Sequence, residues 1–335
     1  MTNKPNAGAA IKCKPQENCP FCGSTGRVLF DGLTDRIFCC VEGTWRELEC
    51  ANNDCQSLWI DPRPVEQELF KAYASYYTHA AGSDDNASPP FGQLKHHTFR
   101  LATSVIKRFY GLKAERAQLK LLHLPAGLGR HLLEVGCGGG ERLQLLTRHG
   151  WVVDGQDVDP KAAANARTKY GVPVHCGKLE ELSLPPSSFD AVALNHVIEH
   201  VSDPASLLRT CHTLLKPGGM LAMATPNATS FGLATFGAAW MALDVPRHLQ
   251  VFSMKSIEQL VSSAGFKEIR TWTSAANASR VAAGSLAILR NGRFAVDREI
   301  GDDIRWEAMR FQHKAIARLR KDPDSGDDIL IHATR

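Results

Sequence analysis

The sequence predicts an α/β fold in which a mainly parallel sheet is covered by helices on both faces. Three observations predict it. From residue 131 onward, short apolar runs alternate with helical patterns. One of those patterns carries clear punctuation, with Asp203 as N-cap, Pro204 in the first turn and Lys216-Pro217-Gly218-Gly219 as the stop. The apolar run Leu132, Leu133 and Val135 also breaks into a glycine cluster, Gly136, Gly138, Gly139 and Gly140, as strands do where they turn into a helix around a ligand.

The elements follow in order. Strands are expected at His131–Val135, Val152–Gln156, Val172–Cys176, Phe189–Leu194 and Met220–Thr225, and helices at Gly140–His149, Pro160–Tyr170 and Pro204–Leu215. A helix at Ser256–Ala264, a strand near Lys267–Trp272, a helical charged insertion over about 277–322 and a last strand at Ile329–Ala333 complete this block. Ahead of it stand a polar leader (1–16), expected to be disordered, and a Cys-rich module (17–64) with strand-like pieces at Arg27–Phe30 and Arg36–Cys40. A helical connector (65–130) follows, broken at 82–90 by GSDDNASPP and resuming as an amphipathic run from about Gln93 to Leu124.

Composition sets bounds. The 335 residues are 44% apolar and 22% charged, ordinary for a globular protein. The net charge of +4 is mild; it leaves room for an anionic partner but does not argue for nucleic acid, which calls for a clustered basic stripe. The first residues lack the apolar core of a secretory signal. The most apolar stretch, 218–246, is interrupted by Pro226, Asn227 and Asp244, so no membrane span is expected. A cytoplasmic location follows, where disulfides are disfavoured.

The glycine cluster is neither of two familiar phosphate loops. Counted from Gly136, the sixth position of G-x-G-x-x-G is Glu141, and no Gly-Lys-Ser/Thr ending is present. Glu134 precedes the turn, where a carboxylate would repel a pyrophosphate and suit an ammonium group. Asp157, twenty-one residues after Gly136, stands where an acidic side chain accepts hydrogen bonds from both hydroxyls of a ribose. The competing role for Asp157 is to cap the next helix, which Asp159 is better placed to do. An adenosine without phosphate and with a positive charge near the loop describes S-adenosylmethionine.

Five stretches carry a resemblance: LLEVGCGGG, GWVVDGQDVDP, FDAVALNHVIEHVSDP, LLKPGGMLAMATPN and HLQVFSMKSIEQLVSSAGF. In this order and spacing they resemble the class I S-adenosylmethionine-dependent methyltransferases, over roughly residues 93–335. The resemblance implies a Rossmann-like seven-stranded sheet whose last strand runs antiparallel. It implies that Gly136, Cys137 and Gly138 approach the methionine portion, with Glu134 beneath it. Asp157 would hold the ribose, and Val158 would lie against the adenine. Lys178 and Leu179 fall near the adenine amino group, where Lys178 departs from the family's acidic residue and leaves that contact to backbone or to Glu180. Asn195 and His196 fall where the cofactor meets the acceptor.

The methyl acceptor needs positioning and, where it carries a proton, a base. His196, Glu199, His200 and His248 are the candidates. His200 and His248 are the principal catalytic expectations, with a loop-ordering role for His200 and a structural role for Glu199 as the alternatives. Segment 226–252 holds Phe231, Phe236, Trp240, Arg247 and His248. It suits a lid over an anionic or hydroxylated acceptor, with Arg247 in the site; a packing loop that buries its aromatics is the competing reading. Its W…PRHL…FS pattern resembles methyltransferases of bacterial sugar and polysaccharide biosynthesis.

Seven of the ten cysteines precede residue 56, and Cys137, Cys176 and Cys211 are scattered. Cys19-Pro-Phe-Cys22-Gly23 has the form of a zinc knuckle, and Cys50 and Cys55, with four residues between them, supply the second pair of a structural Zn2+ site. Cys39 and Cys40 are substitutes if the wider loop fails to close, and a metal-free cluster of reduced thiols is the alternative. In residues 17–64, Arg27, Arg36, Arg46 and Arg63 face Glu17, Asp31, Asp35, Glu42, Glu47, Glu49, Asp54 and Asp61, a poor surface for phosphates. The expectation is therefore an enzyme moving a methyl group to a small-molecule acceptor, such as a sugar nucleotide or polysaccharide precursor. An RNA methyltransferase and a non-catalytic binding protein of the same fold are the rivals.

Overall fold

The structure, a computed structural model, describes residues 9–74, 111–294 and 300–335. Residues 1–8, the 82–90 break, the first part of the 93–124 run and residues 295–299 lie outside the described residues.

The N-terminal module is built from β1 (Ala9–Ala10), β2 (Cys13–Lys14), β3 (Gly26–Leu33), β4 (Val41–Glu42), β5 (Trp45–Cys50), β6 (Leu58–Asp61) and β7 (Arg63–Pro64), followed by a 3-10 stretch over Glu66–Tyr73. Two expectations are corrected here. Part of the leader is ordered, because β1 pairs with β4 and β2 with β7. Residues 36–40 are not a strand. The Asp35 carboxylate accepts hydrogen bonds from the backbone N–H groups of Phe38 (3.2 Å), Cys40 (2.7 Å) and Val41 (3.4 Å), which curls the chain around it.

The larger part contributes β8 (His131–Val135), β9 (Val152–Asp157), β10 (Val174–Cys176), β11 (Phe189–Asn195), β12 (Leu215–Pro226), β13 (Gln250–Val251), β14 (Lys267–Ser274) and β15 (Asp328–Thr334). Seven of them form one sheet in the order β10-β9-β8-β11-β12-β15-β14. All neighbours are parallel except β15, which runs antiparallel to both β12 and β14. This is the Rossmann-like seven-stranded sheet the sequence predicts. Buried residues such as Leu132, Leu133, Val192 and Leu194 fill both faces, as covered parallel strands require. Capping sets the helix starts. Asp159 accepts from the N–H groups of Lys161 (2.6 Å) and Ala162 (3.1 Å), and Asp203 from that of Ser206 (2.9 Å). The helix that Asp203 opens ends at Leu214, and β12 runs straight through Lys216-Pro217-Gly218-Gly219. The insertion before β15 is helical at Ala278–Asn291 and Asp302–Lys321.

A second sheet joins the two parts. Its order is β13-β6-β5-β3, and β13 from the larger part pairs antiparallel with β6 of the module, Gln250 opposite Trp59 and Val251 opposite Leu58.

Candidate active site

Strand order reverses between β8 and β11, so the carboxyl ends of β8, β9, β11 and β12 open a crevice. Glu134, next to last in β8, is 3% exposed. One oxygen accepts from Arg142 Nε at 2.9 Å, and Oε2 is buried with no hydrogen-bond partner. Burial raises its pKa to about 8, against the pull of Arg142. A buried carboxylate oxygen without a donor is a place prepared for one. Arg142 escaped the sequence reading, although it sits two residues past the glycine cluster.

Gly136 has φ +66°, and a Cβ there would come within 2.5 Å of Val197 Cγ2. Gly138 has φ +53° and open space where its side chain would be. The turn thus requires glycine at the first position by contact and by conformation, and at the second by conformation alone. Its backbone is held from below. Gly136 N donates to Gln156 Oε1 (3.2 Å) and Cys137 N to Gln156 O (2.9 Å). Gly138 N donates to Asp157 Oδ2 (2.8 Å), and Asp159 N donates to Asp157 Oδ1 (2.9 Å). Asp157 therefore ties the loop to the end of β9, while Asp159 does the helix capping. Burial raises the Asp157 pKa, opposed by those two N–H donors. The next residue, Val158, is 63% exposed, an apolar side chain left open beside the crevice. Leu179 is buried in the core, and Lys178 turns away to pair with Glu66 (2.5 Å) and Glu181 (3.7 Å).

Asn195 ends β11. His196 follows with φ +54°, and its N–H donates to Ala224 O (2.9 Å). Its Nδ1 lies 3.2 Å from Glu199 Oε1 and its Nε2 3.7 Å from Asp328 Oδ1. Burial works against its charged form, but the Glu199 hydrogen bond and the two carboxylate charges prevail and raise its pKa. Glu199 is fully buried and also accepts from Thr225 Oγ1 (3.1 Å). Burial would push its pKa up, but the His196 hydrogen bond and the neighbouring imidazoles hold it at about 2. His200 Nδ1 lies 2.9 Å from the Tyr73 hydroxyl and 3.1 Å from Arg247 O, and burial with the His248 charge lowers its pKa to about 4. His248 Nδ1 lies 2.8 Å from Ala242 O. Tyr73 and Asp328 also escaped the sequence reading. Tyr73 belongs to the module and carries no local motif, whereas Asp328 could have been suspected from its place at the start of the last strand.

The expected catalytic role of Arg247 is corrected. Its side chain is 1% exposed and its donors are spent on Asp35, Asp244 and the Ala72 carbonyl, with Phe38 stacked 4.5 Å from the guanidinium. Nothing remains to meet an acceptor. The aromatics of segment 226–252 pack inward as well. Phe231 stacks on Phe311 at 5.2 Å, Phe236 lies 4.9 Å from the same ring, and Trp240 is buried.

In the module, the Sγ atoms of Cys19, Cys22, Cys50 and Cys55 all lie within 4.8 Å of one another. Cys19 and Cys55 approach to 3.6 Å, and Cys22 and Cys50 to 3.4 Å. A tetrahedral Zn2+ with Zn–S bonds of about 2.3 Å separates its sulfurs by roughly 3.8 Å, so the donor set fits that ion closely. The four-residue spacer closes because Cys55 N and Gln56 N both donate to Asn52 O, at 2.9 and 3.1 Å. Cys39 and Cys40 lie outside the group.

A methyltransferase-domain family model matches residues 94–271, more than half of the chain. The chain belongs to that family. It is a class I S-adenosylmethionine-dependent methyltransferase, with the sheet order of that fold. Over 127 residues this methyltransferase is 38% identical to a ubiquinone biosynthesis O-methyltransferase of Xanthomonas campestris pv. campestris (strain B100), covering 36% of this chain and 53% of that protein. Identity and coverage are similar for the protein of the same name from Chromobacterium violaceum, at 38%, 36% and 55%. The chain thus spans about half the length of the curated relatives it matches. Among solved structures it is similar to Haemonchus contortus phosphoethanolamine N-methyltransferase 2 in complex with S-adenosyl-L-methionine, with TM-score 0.47 and 17% identity over 66% of this chain and 52% of that one. No helix among the described residues is long and apolar enough to cross a membrane.

Proposed function

We propose that the protein transfers the methyl group of S-adenosylmethionine to a hydroxyl of a small-molecule acceptor. The reading rests on one observation: the buried, unpartnered Oε2 of Glu134 beneath a positive-φ glycine turn that Asp157 anchors. Glu134 would receive the cofactor's ammonium group, Gly136 and Gly138 its methionine backbone, Asp157 its ribose and Val158 its adenine. When bound, S-adenosylmethionine supplies a methyl already activated on a sulfonium centre. His196 faces the same crevice. With Nδ1–H donated to Glu199, its Nε2 can take the acceptor's hydroxyl proton, and the resulting charge lies 3.7 Å from Asp328.

The O-methyltransferase relatives support a hydroxyl acceptor. The resemblance of segment 226–252 to enzymes of sugar and polysaccharide biosynthesis favours a sugar nucleotide or polysaccharide precursor within that class. Zn2+ held by Cys19, Cys22, Cys50 and Cys55 would be structural, since four thiolates leave no open position. Reduced thiols suit a cytoplasmic setting.

Calorimetry with S-adenosylhomocysteine tests the cofactor half. Wild type binds and Asp157→Ala binds at least tenfold more weakly; no binding by wild type, or undiminished binding by the variant, overturns it. Transfer of labelled methyl to sugar nucleotides tests the acceptor half. Label appearing only on RNA, with RNA retention on filters that falls at higher salt, would favour the nucleic-acid alternative.

A further inference from the structure

Two imidazoles and a carboxylate meet at the acceptor edge in an arrangement that methyl transfer alone does not call for. One nitrogen of His200, one of His248 and one oxygen of Glu199 lie within 4.8 Å of one another. Each ring sets Nδ1 against a backbone carbonyl, His200 on Arg247 O at 3.1 Å and His248 on Ala242 O at 2.8 Å. A carbonyl only accepts, so Nδ1 of His248 donates to it and its Nε2 is the nitrogen turned towards Glu199, whereas His200 Nδ1 is shared between the Arg247 carbonyl and the Tyr73 hydroxyl. His248 Nε2 lies 4.0 Å from Glu199 Oε1. That distance is too long for a direct hydrogen bond, and a cation shared by the ring nitrogen and the carboxylate, whose Oε1 also meets His196 Nδ1 at 3.2 Å, would bridge it.

The surroundings hold the three groups in place. The rings pack edge to face with centroids 4.5 Å apart. Leu249 N donates to Glu199 O at 2.9 Å. Gln250 Nε2 donates to the carbonyls of Ile198, Glu199 and Val201, at 3.1, 3.3 and 2.9 Å. The Tyr73 hydroxyl, from the module, lies 2.9 Å from His200 Nδ1. His248, with Nδ1 fixed by a carbonyl and Nε2 turned to Glu199, has the outer support that metal-ligating imidazoles show.

We propose that Glu199, His200 and His248 bind a divalent first-row transition metal ion at the edge where the acceptor enters. Two imidazoles with one carboxylate select Mn2+, Fe2+, Co2+ or Zn2+ over Mg2+ and Ca2+, which take all-oxygen sites. Three protein ligands leave positions for water or for an oxygen of the acceptor. The presence of the ion does not depend on the proposed function; its use in holding an acceptor hydroxyl next to His196 does.

The test uses the metal alone. Full-length protein carrying zinc on its thiolates is titrated with Mn2+, followed by the electron paramagnetic resonance of free Mn2+. Manganese has little affinity for thiolates and leaves that site alone. The expected result is close to one bound Mn2+ per chain, with binding at least tenfold weaker in His248→Ala and in Glu199→Gln. Absence of Mn2+ binding to wild type, or unchanged binding in both variants, overturns the site. In metal-free protein refilled with Co2+, wild type takes two ions and His248→Ala one, which keeps the thiolate-to-cobalt absorption; a single thiolate-bound cobalt in wild type also overturns it. S-adenosylhomocysteine binding, measured alongside, separates the two readings. Its retention without a second metal leaves the methyltransferase reading standing, and its loss with the second metal retained does the reverse.

Discussion

Arg247 and Asp35, 212 positions apart in the chain, form a fully buried bidentate pair, with Nη2 to Oδ1 at 2.8 Å and Nη1 to Oδ2 at 3.2 Å. The same carboxylate organises the loop at 38–41, and the same guanidinium also holds Asp244 and the carbonyl just before Tyr73. One ion pair thus links the module, the loop bearing His248 and the residue that touches His200. Removing Asp35 leaves the buried guanidinium with Asp244 as its remaining carboxylate and takes the acceptor from the amides of Phe38, Cys40 and Val41. Asp35→Ala is expected to lower the unfolding free energy by roughly 3–5 kcal/mol in a denaturant titration. A loss below about 1 kcal/mol would mean that the pair is not the link it looks to be.

The raised pKa of Glu134 gives cofactor binding a pH dependence. In the free protein this carboxyl keeps its proton up to about pH 8 because burial penalises its charge. An ammonium group favours the ionised form, so binding below pH 8 releases a proton. Affinity for S-adenosylhomocysteine should rise by up to about tenfold per pH unit between 6 and 8 and flatten above. The sign for stability is opposite. A carboxyl whose folded pKa lies above its ordinary value of 4.5 costs the unliganded fold stability as pH rises from 4.5 through about 8. Calorimetry in two buffers of different ionisation enthalpy reads the proton directly, and Glu134→Gln should abolish it.

Gly136 offers a test in two steps. Gly136→Ala must place a Cβ 2.5 Å from Val197 Cγ2 and hold φ near +66°. The conformation alone costs about 1–2 kcal/mol, so cofactor binding should weaken by roughly tenfold or more. Gly136→Ala combined with Val197→Ala removes the contact and leaves the backbone cost, so it should recover part of the affinity. Full recovery would show that the contact alone makes glycine necessary; no recovery would assign the whole effect to the backbone.

The thiolate site separates the cysteines of the module. Cys19→Ser and Cys55→Ser should each lower thiolate-bound zinc, measured by elemental analysis of purified protein, whereas Cys39→Ser and Cys40→Ser should leave it unchanged because both lie outside the group. Equal loss in all four variants would place the ion elsewhere.

The sheet was legible in the sequence because covered parallel strands announce themselves locally, as apolar runs bounded by Asp caps and glycines. Glu134, Asp157 and the two cysteine pairs stood out as candidates because the chemistry sought there is tied to short spacings, and the fold brings the four cysteines together. What stayed hidden depends on contact between distant residues. Ile37 and Phe38 suggest a strand, yet the Asp35 carboxylate captures the amides that a strand would need. Arg247 beside His248 suggests a binding loop, yet its partner is Asp35, which no periodicity connects to it. Tyr73 and Gln250 reach the His200 loop through the fold alone.

The pairing of β13 with β6 has a practical consequence for anyone cutting or grafting this protein. The tempting boundary after Pro64 would free a module whose sheet has lost its outermost strand. Leu58, Trp59 and Ile60, each at most 1% exposed in the whole chain, would then form a bare apolar edge, the kind that recruits strands from other molecules. A soluble excised module would have to carry a substitute for residues 249–252, and a chimera with a foreign catalytic part would have to supply the same two-residue strand in the same register.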